Sequence, residues 1–226
     1  EVNNGFSVGT TVINDGKWHH VVSVLDGDNT NDIIMYVDGQ QEVISSKLAR
    51  AINTGSSLNI RLTKGFHNLY WDGNIDEVRV WNTNLTESQL RFIMNQEIED
   101  NSNFVNGSYF SAQSITPTKN DIATIPWSHL AGYYPMTTYN YTNTKDESGN
   151  GNRGALKNLR TIDKQTAPLP YKSTIDGDWD TNATWENGSM QTIPGHTSIV
   201  DNTVTIDWNI VETNHNIIMD NSNLPD

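Results

Sequence analysis

The chain has 226 residues, no cysteine and a formal net charge of −13. That acidity excludes a nucleic-acid or anionic-membrane partner, since both need a basic face, and the missing thiols exclude a disulfide framework or a thiolate metal site. No apolar run approaches the ~20 residues that span a bilayer, so no membrane insertion is expected.

Asn is roughly one residue in eight, well above ordinary usage, and with abundant Thr, Ser and Gly it predicts many short strands joined by polar turns. Glu1-Val2-Asn3-Asn4 lacks the basic start and apolar core of a signal peptide, so the chain reads as a piece of something longer. Residues 8–25 hold two strand candidates, and in the second Trp18, His20, Val22 and Val24 fall on one side. Asp26, Asp28, Thr30 and Asp32 then place oxygens at every second position, the way hard cations such as calcium are gathered, although EF-hand spacing fails. The competing reading is a polar hairpin loop. Ile33 to Val37 form the next strand, Asp38-Gly39 a tight turn of the primed type, and Gln40 to Ile44 the antiparallel return. Residues 57–62 alternate as a further strand.

Residues 71–82 are the stretch that organises the region. As a strand, they put Asp76 on one face with Val78 and Val80, and Ile75, Glu77, Arg79 and Trp81 on the other. A buried carboxylate needs a partner, because stranding it in apolar surroundings costs several kcal/mol or more. His20, also on an apolar face, is the expected partner, and the favoured reading is a buried His20–Asp76 hydrogen bond that fixes sheet register rather than a metal or ligand site. His67, Tyr70 and Trp71 are candidates for a sugar-stacking surface, since aromatic faces bind the apolar side of pyranose rings; core packing competes for Trp71. Thr86 with Gln89 is a capping box, and Leu90, Ile93 and Met94 repeat at helical spacing, so a short helix is expected at about 87–96.

From 99 to 126 the sequence turns polar and reads as a connection. Leu130 to Met136 begin another strand, followed by the turn Asp146-Glu147-Ser148-Gly149-Asn150-Gly151. Ala167-Pro168-Leu169-Pro170 is extended. A last unit runs from Gly177-Asp178-Trp179 through Thr184-Trp185 to Val204-Thr205-Ile206-Asp207-Trp208, which alternates strictly. Within it Asp176, Asp178 and Asp180 form a second alternating acidic run, a calcium site or, more simply, a solvated turn.

Lys17-Trp18-His19-His20-Val21-Val22, the Tyr36-Val37-Asp38-Gly39 hairpin and Gly73-Asn74-Ile75-Asp76-Glu77-Val78-Arg79-Val80-Trp81-Asn82 resemble the C-terminal half of laminin-G-like domains, which are concanavalin-A-like lectin jelly rolls. The resemblance covers roughly residues 5–98. It implies an all-β fold: an antiparallel jelly-roll sandwich, incomplete in this chain, over 1–98, a connecting segment with a Tyr-Tyr-Pro strand over 99–172, and a small β unit over 173–226 that opens into stacked short strands. Residues 130–154 are similar to the opening strand of another such unit. The Gly-x-Trp…Thr-Trp-x-x-Gly pattern at 177–188 resembles a segment of large surface proteins of gliding Bacteroidetes exported by the type IX system.

Pentraxins, a related family, keep an acidic cluster where this chain has Thr63 to Tyr70, with no carboxylate. The Glu-x-Asp-x-x-Glu array of jelly-roll glycoside hydrolases does not occur, nor does a Gly-x-Ser-x-Gly elbow, a phosphate loop or His-Glu-x-x-His. The expectation is therefore a non-enzymatic segment of a secreted bacterial cell-surface adhesin. It would bind polysaccharide or another surface glycan, contact further domains of its own chain, and use calcium if any cofactor. A ligand-free stalk repeat and an accessory module of a polysaccharide-degrading enzyme are the alternatives.

Overall fold

The computed structural model describes residues 5–14, 18–52, 62, 71–94, 96–108, 125–137, 139–140, 142–157, 159, 171–186 and 211–219. Among them the chain is built of short strands, with one short α-helix. β1 (Phe6–Val8) comes first, and β2 (Val21–Leu25), β3 (Ile33–Val37) and β4 (Gln40–Gln41) form an antiparallel three-stranded sheet. Its long pair runs from Val21 opposite Val37 to Leu25 opposite Ile33. Asp38 at φ 49° and Gly39 at φ 77° make the primed turn that matches the twist of the strands. The return is shorter than expected. The Glu42 N–H still donates to the Met35 carbonyl of β3, while the Glu42 carboxylate accepts from the backbone N–H and hydroxyl of both Thr10 and Thr11. β5 (Ser46–Leu48) therefore pairs with β1, Leu48 opposite Phe6.

β6 (Val78–Trp81) begins later than its alternation suggested, because Glu77 has φ 51° and breaks the period just ahead of Val78. Asp76 thus precedes the strand rather than lying in it. α1 (Glu87–Ile93) is capped as read: the Thr86 hydroxyl accepts the Gln89 N–H at 3.3 Å and the Gln89 side chain accepts the Thr86 N–H at 2.8 Å. It stops at Ile93, whose carbonyl accepts from Arg79 Nη1 at 2.6 Å.

The stretch expected to be a polar connection starts with a hairpin. β7 (Ile98–Asn101) and β8 (Phe104–Gly107) pair through a two-residue turn in which Ser102 (φ 55°) and Asn103 (φ 73°) both adopt the left-handed conformation. β9 (Leu130–Tyr134) then returns to β6, with Arg79 opposite Tyr133 and Val80 opposite Gly132. The principal core joins β3, α1, β7, β8 and β9: Tyr36, Leu85, Leu90, Phe92, Ile93, Ile98, Val105, Ile125, Leu130 and Tyr133 are buried in one cluster, with Val22, Val24 and Trp81 packed against it. β10 (Tyr139–Asn140), β11 (Asn143–Thr144) and β12 (Gly154–Ala155) form a small antiparallel sheet beyond β9.

The last unit is built differently. β13 (Tyr171–Lys172) and β14 (Gly177–Asp178) pair in parallel with β15 (Val211–Glu212) and β16 (Ile217–Ile218), both pairs offset by 40 residues. Trp179 and Trp185 form its core, with ring centroids 5.2 Å apart in an edge-to-face arrangement and the Trp185 indole N–H donating to the Trp179 carbonyl. The strands expected at 57–62 and 204–210 fall almost wholly outside the described residues.

Candidate functional site

The expected site residues are scattered. His67 and Tyr70 lie outside the described residues, and Trp71 is exposed. The first acidic run is spent on structural hydrogen bonds: Asp26 Oδ1 accepts from Asn84 Nδ2, ahead of α1, at 2.9 Å, and Asp32 Oδ2 accepts the Asn29 N–H at 3.0 Å, closing a capping box on a 3₁₀ turn at Thr30–Asp32. The carbonyl of Asp28 accepts the Ile52 N–H. In the second run Asp176 holds the backbone and side-chain amides of Asn216, while Asp178 and Asp180 are exposed. Among the described residues, no three His, Asp or Glu side chains are grouped to hold a metal ion.

The imidazole–carboxylate contact joins neither of the expected residues, His20 and Asp76, but the neighbouring His19 and the turn residue Asp38. His19 Nδ1 lies 2.8 Å from Asp38 Oδ2, and Asp38 Oδ1 accepts the His20 backbone N–H at 3.0 Å. The tight turn causes this, because the Asp38 N–H donates back to the His20 carbonyl and brings the carboxylate with it. Asp76 Oδ1 accepts the N–H of Glu77. His20 Nδ1 is buried and has no hydrogen-bond partner among the described residues. Burial, reinforced by the positive charge of Arg79 and opposed by Asp38, pushes the His20 pKa down to about 4.

Where β6 meets β9 there is a buried polar cluster that sequence reasoning missed. Arg79 Nη2 donates to Glu77 Oε2 and to the Gln96 carbonyl, both at 2.5 Å, and its guanidinium sits 5.7 Å from the centre of the Tyr133 ring. The Tyr133 hydroxyl donates to Glu77 at 3.1 Å and accepts the Ile98 N–H. Burial raises the Glu77 pKa although Arg79 pulls against it, and burial followed by the Glu77 charge raises that of Tyr133. The cluster ties α1, β6, β7 and β9 together. The only available signal was the alternation that put Glu77 and Arg79 on one face.

Against this cluster, a cleft of about 500 Å³ opens between β7 and the turn at 146–152. Glu97, Glu99, Asp100 and Glu147 line it, with Trp127 and Tyr133. The turn is organised by Asp146, which accepts N–H groups from Tyr133, Ser148 and Asn152 at 2.8–3.0 Å. Burial opposes the Asp146 charge, but the Ser148 hydroxyl and those amides outweigh it and hold its pKa below the usual value. The Trp127 indole N–H is spent on the Ser148 carbonyl at 3.0 Å, and its ring meets Tyr133 edge-to-face at 6.5 Å. What remains for a ligand is aromatic surface and carboxylate acceptors, a combination that suits polyhydroxylated rings. Composition alone could not assemble this lining, because residues 97–100 read as a helix end and a connection until the hairpin places them.

Residues 2–91 match a laminin-G-type family model described as the concanavalin A-like lectin/glucanases superfamily. Over that span the strands and their antiparallel pairing are consistent with a concanavalin A-like jelly roll. The match runs from β1 into α1 and leaves the cleft lining outside it. No curated protein and no solved structure matched the chain. Among the described residues, no helix is long and apolar enough to cross a membrane.

Proposed function

We propose that this chain is a non-enzymatic, glycan-binding attachment segment of a large secreted protein displayed on a bacterial surface, of the gliding-adhesin type. One observation carries the reading: a cleft lined by Trp127, Tyr133 and several carboxylates follows a region that matches a lectin-containing superfamily. Sugars are held by such pairings, with hydroxyl groups donating to fixed acceptors while ring C–H faces cover aromatic surface. A glycan array probed with the whole chain tests it. Binding to a defined polysaccharide class is expected, with loss of signal in Trp127→Ala provided that variant keeps the parent's circular dichroism. A folded parent that binds no glycan would refute the reading.

A second reading, a ligand-free stalk repeat, draws on a different feature. The parallel pairs β13–β15 and β14–β16 share one 40-residue offset, the regularity of a stacked coil that propagates along a chain. A silent array with an intact fold favours that spacer role.

A further inference from the structure

We infer that Asn150 is a site of spontaneous deamidation, and that its conversion releases the turn at 146–152 from β9. The reaction needs no enzyme or cofactor. The backbone nitrogen of the following residue loses its proton and attacks the side-chain carbonyl carbon of the asparagine. A C–N bond closes a five-membered succinimide, and the Cγ–Nδ2 bond breaks to release ammonia. Water then opens the ring at either carbonyl, leaving aspartate or isoaspartate in place of the amide. A side chain on the attacking residue obstructs this closure, and glycine, with no Cβ, does not.

Two Asn-Gly sequences lie wholly among the described residues, and their surroundings are opposite. Asn106-Gly107 belongs to β8, where Asn106 is buried opposite Glu99 and its amide donates to the Glu99 carboxylate at 3.0 Å. Asn150-Gly151 occupies an exposed turn. Its glycine has φ 76°, and nothing lies within 4 Å of the place a Cβ would take. Among the described residues no acceptor holds the Gly151 N–H, so base can reach the attacking nitrogen and water can reach the ring it forms.

The amide that would be lost fastens the turn. Asn150 Nδ2 donates to the Leu130 carbonyl at 2.8 Å, to the Ala131 carbonyl at 3.3 Å and to the Ser148 hydroxyl at 3.1 Å. An ionised aspartate has no hydrogen to give, so the product sets a carboxylate oxygen against two carbonyl oxygens. The new charge also arrives close in sequence to Asp146 and Glu147, in a chain that already carries −13. Isoaspartate adds an atom to the backbone just ahead of Asn152, whose N–H donates to Asp146 at 2.8 Å and whose side chain donates to the Ala131 carbonyl at 3.0 Å. Before reaction the same bonds restrain the Asn150 amide, so conversion runs more slowly in the folded chain than in a denatured one.

The experiment ages the whole chain at mildly acidic and mildly alkaline pH, beside a guanidinium-denatured sample, and follows the masses of the peptides carrying Asn106 and Asn150. A gain of about one dalton at Asn150 is expected, roughly tenfold faster than at Asn106 and faster at alkaline pH, because base must take the Gly151 proton. An Asn150 peptide that stays intact in the folded chain after the denatured sample has converted overturns the inference, and so does equal conversion at both asparagines. The release is read in Asn150→Asp, which installs the product's carboxylate without ageing. Several-fold faster hydrogen exchange of the Ser148 and Asn152 amides is expected, and exchange at the parent's rate overturns the release. Should that variant fail to fold, aged parent chain separated by charge from the unreacted chain provides the same measurement.

Discussion

At the scale of single residues, the decisive group is Arg79. Its guanidinium answers the Glu77 carboxylate and the carbonyls of Ile93 and Gln96 at once, so removing it strands a buried charge and two buried acceptors. Breaking one side of such a buried pair typically costs about 3–5 kcal/mol, more than the pair contributes relative to an apolar substitute. Arg79→Met should therefore lose stability of that order in urea titration, and adding Glu77→Gln should restore part of it. A single variant within about 0.5 kcal/mol of the parent would contradict the coupling. His20 adds a pH dependence of definite sign. Its folded pKa, near 4, lies below the unfolded value of 6.5, so between the two the unfolded chain binds a proton that the folded one does not. Stability is then full above about pH 6.5 and falls as pH drops toward 4, by an amount on the order of 3 kcal/mol. Asp146, whose pKa is lowered, adds a further loss at more acidic pH, as it protonates and releases its three amides. His20→Phe should flatten the upper part of that profile in pH-resolved thermal melts, and a variant that follows the parent's slope would remove His20 as the cause.

At the scale of elements, the β7–β8 hairpin is fixed to α1 by a close approach at Gly107. A Cβ there would run into the amide of Gln96, which is fully buried and donates to the Phe92 carbonyl. Gly107→Ala forces that side chain off its hydrogen bond, and a cost of about 1–3 kcal/mol is expected, of the size that overpacking produces. Unchanged melting would mean that Gln96 has room to move. The same elements show what a sequence discloses. The α1 start was legible because both halves of its capping box lie within four residues. The primed turn at Asp38-Gly39 was legible because glycine announces it. The β7–β8 turn was not, since Ser102-Asn103 reaches the same conformation without glycine and looks like polar connection. Likewise Glu77 looked like an ordinary strand position, and only its positive φ reveals why Asp76 falls outside the strand. The β6–β9 pairing and the cleft depend on contacts some fifty residues apart, which periodicity does not encode.

At the scale of the whole molecule, the two hydrophobic clusters formed among the described residues share no residue. One is centred on Phe92, Ile93 and Leu130, the other on Trp179 and Trp185 with Val211 and Ile217 packed against them. The first draws on residues from Tyr36 to Tyr133, so β9 belongs energetically to the body that contains β6, and its amides should exchange with solvent at the same rate as those of β6. The second core, among the described residues, consists of those two tryptophans with Val211 and Ile217. Cooperative unfolding follows shared burial, so calorimetry should resolve two transitions rather than one. Trp185→Phe removes the indole N–H that donates to the Trp179 carbonyl and thins the edge-to-face contact. It should lower only the second transition, by the several degrees that 1–2 kcal/mol produces in a unit under 100 residues. A single transition moved as a whole by this variant would mean that the parallel strands and the antiparallel body fold as one, and the stalk-like independence of residues 171–219 would have to be abandoned.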